Sequence, residues 1–206
     1  CIKGDGAEFP VLIAAFYGLR REEIMGLRWQ SIDFDGNTIT ISHTVVQVNI
    51  DGKSTVIAKD RAKSKKSYRT LPLVPQYREL LLRMREHQDA CRELCGNCYF
   101  ESDYIYVNDL GQPFKPNYVT QHFKLFLRNN SLREITFHEL RHTCASLLLK
   151  SGVSMKDIQE WLGHSSYSTT ANIYAHLDST AKKITGDAMQ GNVDISANVA
   201  AKSRAR

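Results

Sequence analysis

Apolar residues in this chain recur at helical spacing, shift to a two-residue period over residues 29–48, and then return to helical spacing. That order limits the folds available. From residue 7 to about 27, Phe9, Leu12, Ile13, Phe16, Leu19 and Ile24 repeat every three to four positions. Pro10 fits a first turn and Gly18 is the natural break, so the segment reads as two consecutive helices. Residues 29–48 are rich in Ile, Thr and Val, with Asp35-Gly36-Asn37 and Asp51-Gly52 as turn signals, which predicts a small antiparallel sheet. A third strand fits 69–73, and Pro72 puts it at an edge. Helical spacing resumes over 76–94 and from Asn117 to about Met189, separated by a loop-rich link with one short apolar run at 104–107. Leu140, Cys144, Leu147 and Leu148 share one stripe, and Met155, Ile158 and Leu162 another; both are expected to pack on a common core. The expected fold is α+β and mainly helical, with a three-stranded antiparallel sheet at one edge.

The chain has 206 residues, 42% hydrophobic and 24% charged, a composition that excludes disordered and membrane classes. No signal-peptide or membrane-spanning pattern occurs near its start, so a cytoplasmic location without a membrane partner is expected. A strong helix follows Cys1 almost at once, which suggests that an upstream domain belongs to the same protein. The last residues, rich in Ala, Asn, Ser and Gly, read as a mobile tail over 191–206. A net charge of +5 is compatible with a polyanionic partner but decides little. Its distribution says more, because Lys59, Arg61, Lys63, Lys65, Lys66 and Arg69 fall close together and only Asp60 opposes them. Such a run is either a solvated loop or a phosphate-gripping surface.

Five cysteines without a secretory signal suggest reduced thiols. Cys91-x3-Cys95-x2-Cys98, with His87 one turn earlier, raises a zinc site. Against it, the spacing is not that of a standard finger, and Tyr77, Leu80, Met84 and Cys91 share an apolar stripe that makes Cys91 a core residue. No metal ligand is assigned on this basis.

Four polar segments remain: Gly18-Leu19-Arg20-Arg21-Glu22-Glu23, the run from Lys63 to Arg69, His138-Glu139-Leu140-Arg141-His142, and Leu162-Gly163-His164 followed by Tyr174 ten residues on. Each alone is a weak signal, since an Arg at a helix start is usually a surface residue and a lone Tyr is usually core. In this order and spacing they resemble the tyrosine recombinase (phage integrase) family over about residues 7–185, most of all integrases of phages and conjugative transposons of Gram-positive bacteria. Gly18-Leu19-Arg20 with Glu23 is similar to the family's first box, His138-x-x-Arg141 to its second, and Leu162-Gly163-His164 with Tyr174 to its last.

The resemblance implies a recombinase catalytic domain over residues 1–190, with an N-terminal core-binding domain lying outside this chain. It implies that Tyr174 attacks a DNA phosphate to form a 3′-phosphotyrosyl link, with Arg20 and Arg141 stabilising the charge of the transition state. His138 and His164 would donate to phosphate oxygens, and Glu23 would orient Arg20, unless it is simply a solvated helix carboxylate. Lys63-Ser64-Lys65-Lys66-Ser67-Tyr68-Arg69 resembles the family's hairpin loop and selects Lys63 as the acid for the leaving 5′-oxygen, with Lys65 and Lys66 as competitors. Lys59, Arg61, Lys65, Lys66 and Arg69 would grip DNA. No cofactor is implied, because the covalent link conserves the phosphodiester energy. Expected partners are attachment-site DNA, three further copies forming a tetramer on DNA from a monomer, and an accessory DNA-bending or directionality protein. The alternatives are a type IB topoisomerase, which shares the tyrosine and arginines, or a catalytically silent DNA-binding module.

Overall fold

Buried Phe9, Ile13, Ala14 and Tyr17 line one side of the first helical segment, as their spacing predicts. A computed structural model describes residues 2–60 and 68–164 of the chain. The chain divides into two compact units, 1–165 and 166–206, and the described residues belong to the first. Helix α1 (Glu8–Leu12) runs directly into a π-helical turn, Ile13–Tyr17. Gly18 then ends the segment with a left-handed backbone, φ 64°. A Cβ at this position would collide with Leu162 and crowd the Cys144 thiol, so both the conformation and the space require glycine. The chain leaves in an extended conformation and helix α2 (Arg21–Met25) begins after Arg20.

The predicted sheet separates into two. Strands β1 (Ile32–Asp33) and β2 (Thr38–Ile41) pair antiparallel. Then β3 (His43–Ile50) and β4 (Lys53–Asp60) form their own antiparallel ribbon, turned by Asp51 and Gly52, both with positive φ as a two-residue hairpin turn demands. Strand β5 (Arg69–Pro72) returns to pair with β2, giving the three-stranded order β1-β2-β5 with Pro72 on the edge. The split has a visible cause. The alternation that buries Ile39 and Ile41 gives way to three consecutive buried residues, His43, Thr44 and Val45, because β3 passes against α2 and a later helix instead of continuing the sheet. Strand β4 was not foreseen, since its side chains are mostly exposed and leave no burial signal.

Helix α3 (Pro75–Cys95) opens with proline in its first turn, where the missing N–H costs nothing. Its buried face carries Tyr77, Leu80 and Leu81, and continues to Gln88 rather than to Cys91. The Gln88 amide accepts from the Trp29 indole at 3.0 Å and donates to the Ile105 carbonyl at 2.7 Å, which satisfies a buried polar group. Cys91 is therefore not a core residue, as the stripe had suggested; it stands beside the stripe, partly exposed.

Helix α4 (Pro116–Asn129) buries Val119, Phe123, Phe126 and Leu127. Helices α5 (Glu139–Lys150) and α6 (Met155–Leu162) pack on each other, α6 capped by Ser154, whose hydroxyl accepts from the Asp157 N–H at 3.2 Å. Leu147, placed in the core by its spacing, is exposed, and the buried side of α5 holds Leu140, Arg141, Cys144 and Ala145. Tyr17 ties the layers together. Its hydroxyl donates to the Pro72 carbonyl and accepts from the Val74 N–H, both at 3.0 Å, while its ring stacks on Trp161 and meets Tyr77 edge-on. Among the described residues, no helix is long and apolar enough to cross a membrane.

Candidate active site

A buried carboxylate organises the first side of the site. Arg20 is the N-cap of α2, with an extended backbone whose N–H donates to Glu23 Oε2 at 2.8 Å, as in one half of a capping box. Its guanidinium donates to Glu23 Oε1 at 3.2 Å and reaches the Gly163 carbonyl at 3.4 Å. Glu23 has no solvent-exposed surface. Arg69, at the start of β5, meets it with a two-pronged pair of 3.1 and 3.0 Å and donates its Nε–H to the Trp161 carbonyl at 2.9 Å. Burial by itself would raise the Glu23 carboxyl, but hydrogen bonds and charge from Arg69, followed by Arg20, bring it down to about 2. The solvated-carboxylate alternative for Glu23 thus fails, and the residue orients two arginines instead of one.

Arg69 departs from its expected place as well. It was expected to face DNA from a basic loop, yet its side chain is nearly covered and its donors turn inward. Gly163, the left-handed C-cap of α6 (φ 67°), makes room for it: a Cβ there would stand 2.8 Å from Arg69 Nη1.

Arg141 is 2% exposed and forms the second side. Its Nη1 donates to the Gly18 carbonyl, its Nη2 to the Leu162 carbonyl at 2.6 Å, and its Nε to His164 Nε2 at 3.2 Å. Gly18 and Leu162 stand at the C-terminal ends of two helical segments, so two helix ends fix one guanidinium. Burial, then the charge of Arg20, and more weakly that of Arg69, push Arg141 down to about 9, still protonated at neutral pH. His164 is also buried. Burial and the Arg141 and Arg20 charges lower it to about 4, so the ring is neutral; since Nε2 accepts from Arg141, the proton is assigned to Nδ1.

The two sides meet in a 260 Å³ pocket lined by Leu19, Arg20, Arg21, Glu22, Thr120, Thr136, Phe137, His138 and Arg141. His138, the N-cap of α5, is exposed, and burial, then His142 and Arg141, lower its pKa. Four of the residues singled out in the sequence, Arg20, Glu23, His138 and Arg141, therefore lie in or directly behind one cavity, with His164 on Arg141. The structure adds Thr120 and Arg21, which donates to the Thr120 hydroxyl at 3.1 Å. Only the distance between helices hid that pair from the sequence. A tetrahedral anion suits the cavity: guanidinium forks from two directions, an imidazole and, among the described residues that line it, no carboxylate besides Glu22, which is paired with Arg21 at 3.0 Å.

Lys59 is exposed on β4, beside the ribbon's end. Asp60, which had seemed merely to oppose the basic run, is held by His43 Nδ1 at 2.6 Å, while His43 Nε2 faces Arg28 Nη2 at 2.9 Å and the Tyr104 hydroxyl at 3.1 Å. Arg61, Lys63, Lys65, Lys66 and Tyr174 lie outside the described residues, as does the proposed tail at 191–206.

Comparison with known proteins bears on the family and the fold. The model of the phage integrase family matches residues 9–181. A tyrosine recombinase XerC-like protein of Caldanaerobacter subterraneus subsp. tengcongensis is 32% identical over 186 residues, 85% of this chain and 47% of its own length. The ICEBs1 integrase of Bacillus subtilis is 28% identical over 175 residues, covering 85% of this chain and 46% of the relative. The chain spans about half the length of the curated relatives it matches. Among solved structures, the Tn1549 transposon integrase in complex with a circular intermediate DNA superposes with a TM-score of 0.70 at 21% identity, over 89% of this chain and 60% of that one. The XerA recombinase follows with 0.65 at 20% identity, over 90% and 59%. With the fold shared by these structures and the family model spanning most of its length, the chain belongs to the phage integrase family.

Proposed function

We propose that this chain is the catalytic domain, over residues 1–190, of a site-specific DNA recombinase that cuts and rejoins strands through Tyr174 to integrate and excise a mobile element. One observation carries the reading: Arg141 is buried between the Gly18 and Leu162 carbonyls and His164, and shares the 260 Å³ cavity with Arg20 and His138. Burying a guanidinium is costly, and buried Arg141 converging with half-buried Arg20 on one cavity suits a dianionic transition state. The Tn1549 transposon integrase, solved in complex with transposon right end DNA and with a circular intermediate DNA, supports double-stranded DNA as the partner.

In this reading the scissile phosphate sits among Arg20, His138 and Arg141. The Tyr174 phenolate oxygen attacks phosphorus, a 3′-phosphotyrosyl bond forms, the P–O5′ bond breaks, and Lys63 gives its proton to the leaving 5′-oxygen. Attack by the 5′-hydroxyl of another strand reverses each step, so neither ATP nor a metal ion enters the balance. Neutral His164 holds Arg141 and supplies a donor to the phosphate region. Lys59, Arg61, Lys65 and Lys66 hold the DNA backbone, and four copies assemble on two duplexes, with an accessory DNA-bending protein setting direction.

A nicked attachment-site duplex incubated with the chain joined to its upstream domain tests this. A covalent protein–DNA band that survives denaturation is expected, absent in Tyr174→Phe although that variant still binds. If the band persists in Tyr174→Phe, the assignment fails. If binding occurs with no band in either protein, the chain is a silent DNA-binding module.

A further inference from the structure

Helix α3 carries His87, Cys91 and Cys95 on three successive turns, and the turn at 108–112 brings Asp109 to the same place. His87 Nε2 stands 3.6 Å from Cys91 Sγ and 3.1 Å from Asp109 Oδ1, and these three donor atoms all lie within 4.8 Å of one another. The Cys95 thiol is 3.8 Å from the Asp109 carbonyl oxygen.

These distances have a simple meaning. A tetrahedral zinc ion with a sulfur at about 2.3 Å and nitrogen and oxygen at about 2.0–2.1 Å has S···N edges of about 3.6 Å and N···O edges of about 3.3 Å. Two edges of such a tetrahedron are already drawn to within a few tenths of an ångström. Asp109 is also held in position without a metal. The Asn108 carboxamide oxygen accepts from the Leu110 and Gln112 N–H groups at 3.0 and 2.9 Å, which closes the turn around it.

We propose that His87, Cys91 and Asp109 form a zinc site, with water in the fourth position. The spacing considered from the sequence, Cys91-x3-Cys95-x2-Cys98 with His87 one turn earlier, included Cys98. In the structure Cys98 is exposed on the 3-10 turn that follows α3 and is not one of the clustered donors. The ligand that completes the set is an aspartate 18 residues beyond Cys91, which no short motif contains. Imidazole, thiolate and carboxylate together favour zinc over magnesium or calcium. On binding, the Cys91 thiol gives its proton to solvent and no electrons move. The ion clamps the C-terminal end of α3 to the 108–112 turn. His87 and Asp109 also border a 590 Å³ cavity that includes Phe9 and Tyr106, so the clamp closes one end of the surface on which the N-terminal segment rests.

The test uses the full chain, reduced and stripped of metal, titrated with cobalt(II) as the spectroscopic stand-in for zinc. A near-ultraviolet thiolate-to-cobalt band that saturates at one equivalent and disappears on adding zinc is expected. Zinc at about a hundred times its Kd raises the Tm by about 5–10 °C. Cys91→Ser abolishes the band. Asp109→Asn weakens cobalt binding by more than about tenfold, the loss that changes even beyond the ligands can bring. Cys98→Ser changes neither. All three positions are partly or fully exposed, so circular dichroism of the variants should match that of the parent. Absence of the band in the parent chain overturns the site, as does its survival in Cys91→Ser or unchanged affinity in Asp109→Asn.

Discussion

Glu23→Gln keeps the shape of the side chain behind the pocket and removes its charge. The carboxylate is fully buried and bonded to two guanidiniums, so the variant leaves Arg69 and Arg20 sharing a space with no anion. Two routes to the cost agree. The carboxyl titrates at about 2 when folded against an ordinary 4.5, which corresponds to about 3 kcal/mol of stability at neutral pH. Removing one partner of a buried ion pair costs about 3–5 kcal/mol, or about 6–20 °C of Tm for a chain of this size. The pH dependence gives a second handle. A carboxyl whose folded pKa is depressed contributes stability that is complete above its unfolded value and is lost as pH falls toward the folded one. Urea unfolding at pH 7 should therefore separate the parent from Glu23→Gln by about 3 kcal/mol, with the gap narrowing by about 1 kcal/mol at roughly pH 3.5. Arg69→Met combined with Glu23→Gln should cost clearly less than the sum of the two alone, because each removes the same bonds. A gap below about 1 kcal/mol at neutral pH, or one that does not shrink on acidification, would refute the view of Glu23 as a buried anion serving two arginines.

Arg141→Lys leaves one ammonium to serve two carbonyls and an imidazole in fixed places; covalent adduct formation should fall about 10²–10³-fold while a mobility-shift assay still shows DNA binding. An unchanged cleavage rate would contradict the assignment. His164 titrates near 4 when folded against 6.5 otherwise, so between these values the unfolded chain binds the proton first and stability rises with pH. Unfolding measured across that interval should show the slope, and His164→Gln should flatten it. Gly163→Ala puts a Cβ beside Arg69 Nη1 at a positive φ and should lower stability by about 1–2 kcal/mol in thermal melts.

The helical segments were legible because their signals are local. Gly18 breaks the first, Pro75 and Pro116 open later ones, and Ser154 caps the last described helix. Arg20, His138, Arg141 and His164 were legible as a set through their order along the chain, which a resemblance can read. Where the sequence misled, the missing fact was a distant partner. Arg69 sits in a run of cations, and only Glu23, 46 residues earlier, turns it inward. Cys91 fits an apolar stripe until Gln88 is seen to occupy the buried side, satisfied by Trp29 and Ile105. The break between the two sheets depends on which helices cover β3, a property of packing and not of alternation. Leu147 was misplaced for a related reason: the inner side of α5 is given to Arg141, a residue no hydrophobic pattern would choose.

The tyrosine that bridges Pro72 and Val74 has a consequence for the company this protein keeps. An edge strand invites a neighbouring chain to add itself to the sheet, the first step of many aggregates. Here β5 is only four residues long, ends at a proline that has no N–H to give, and has that proline's carbonyl already taken by Tyr17. An arriving strand would find the last rung of the ladder closed. Copies of this chain brought close together should therefore not join through the β5 edge.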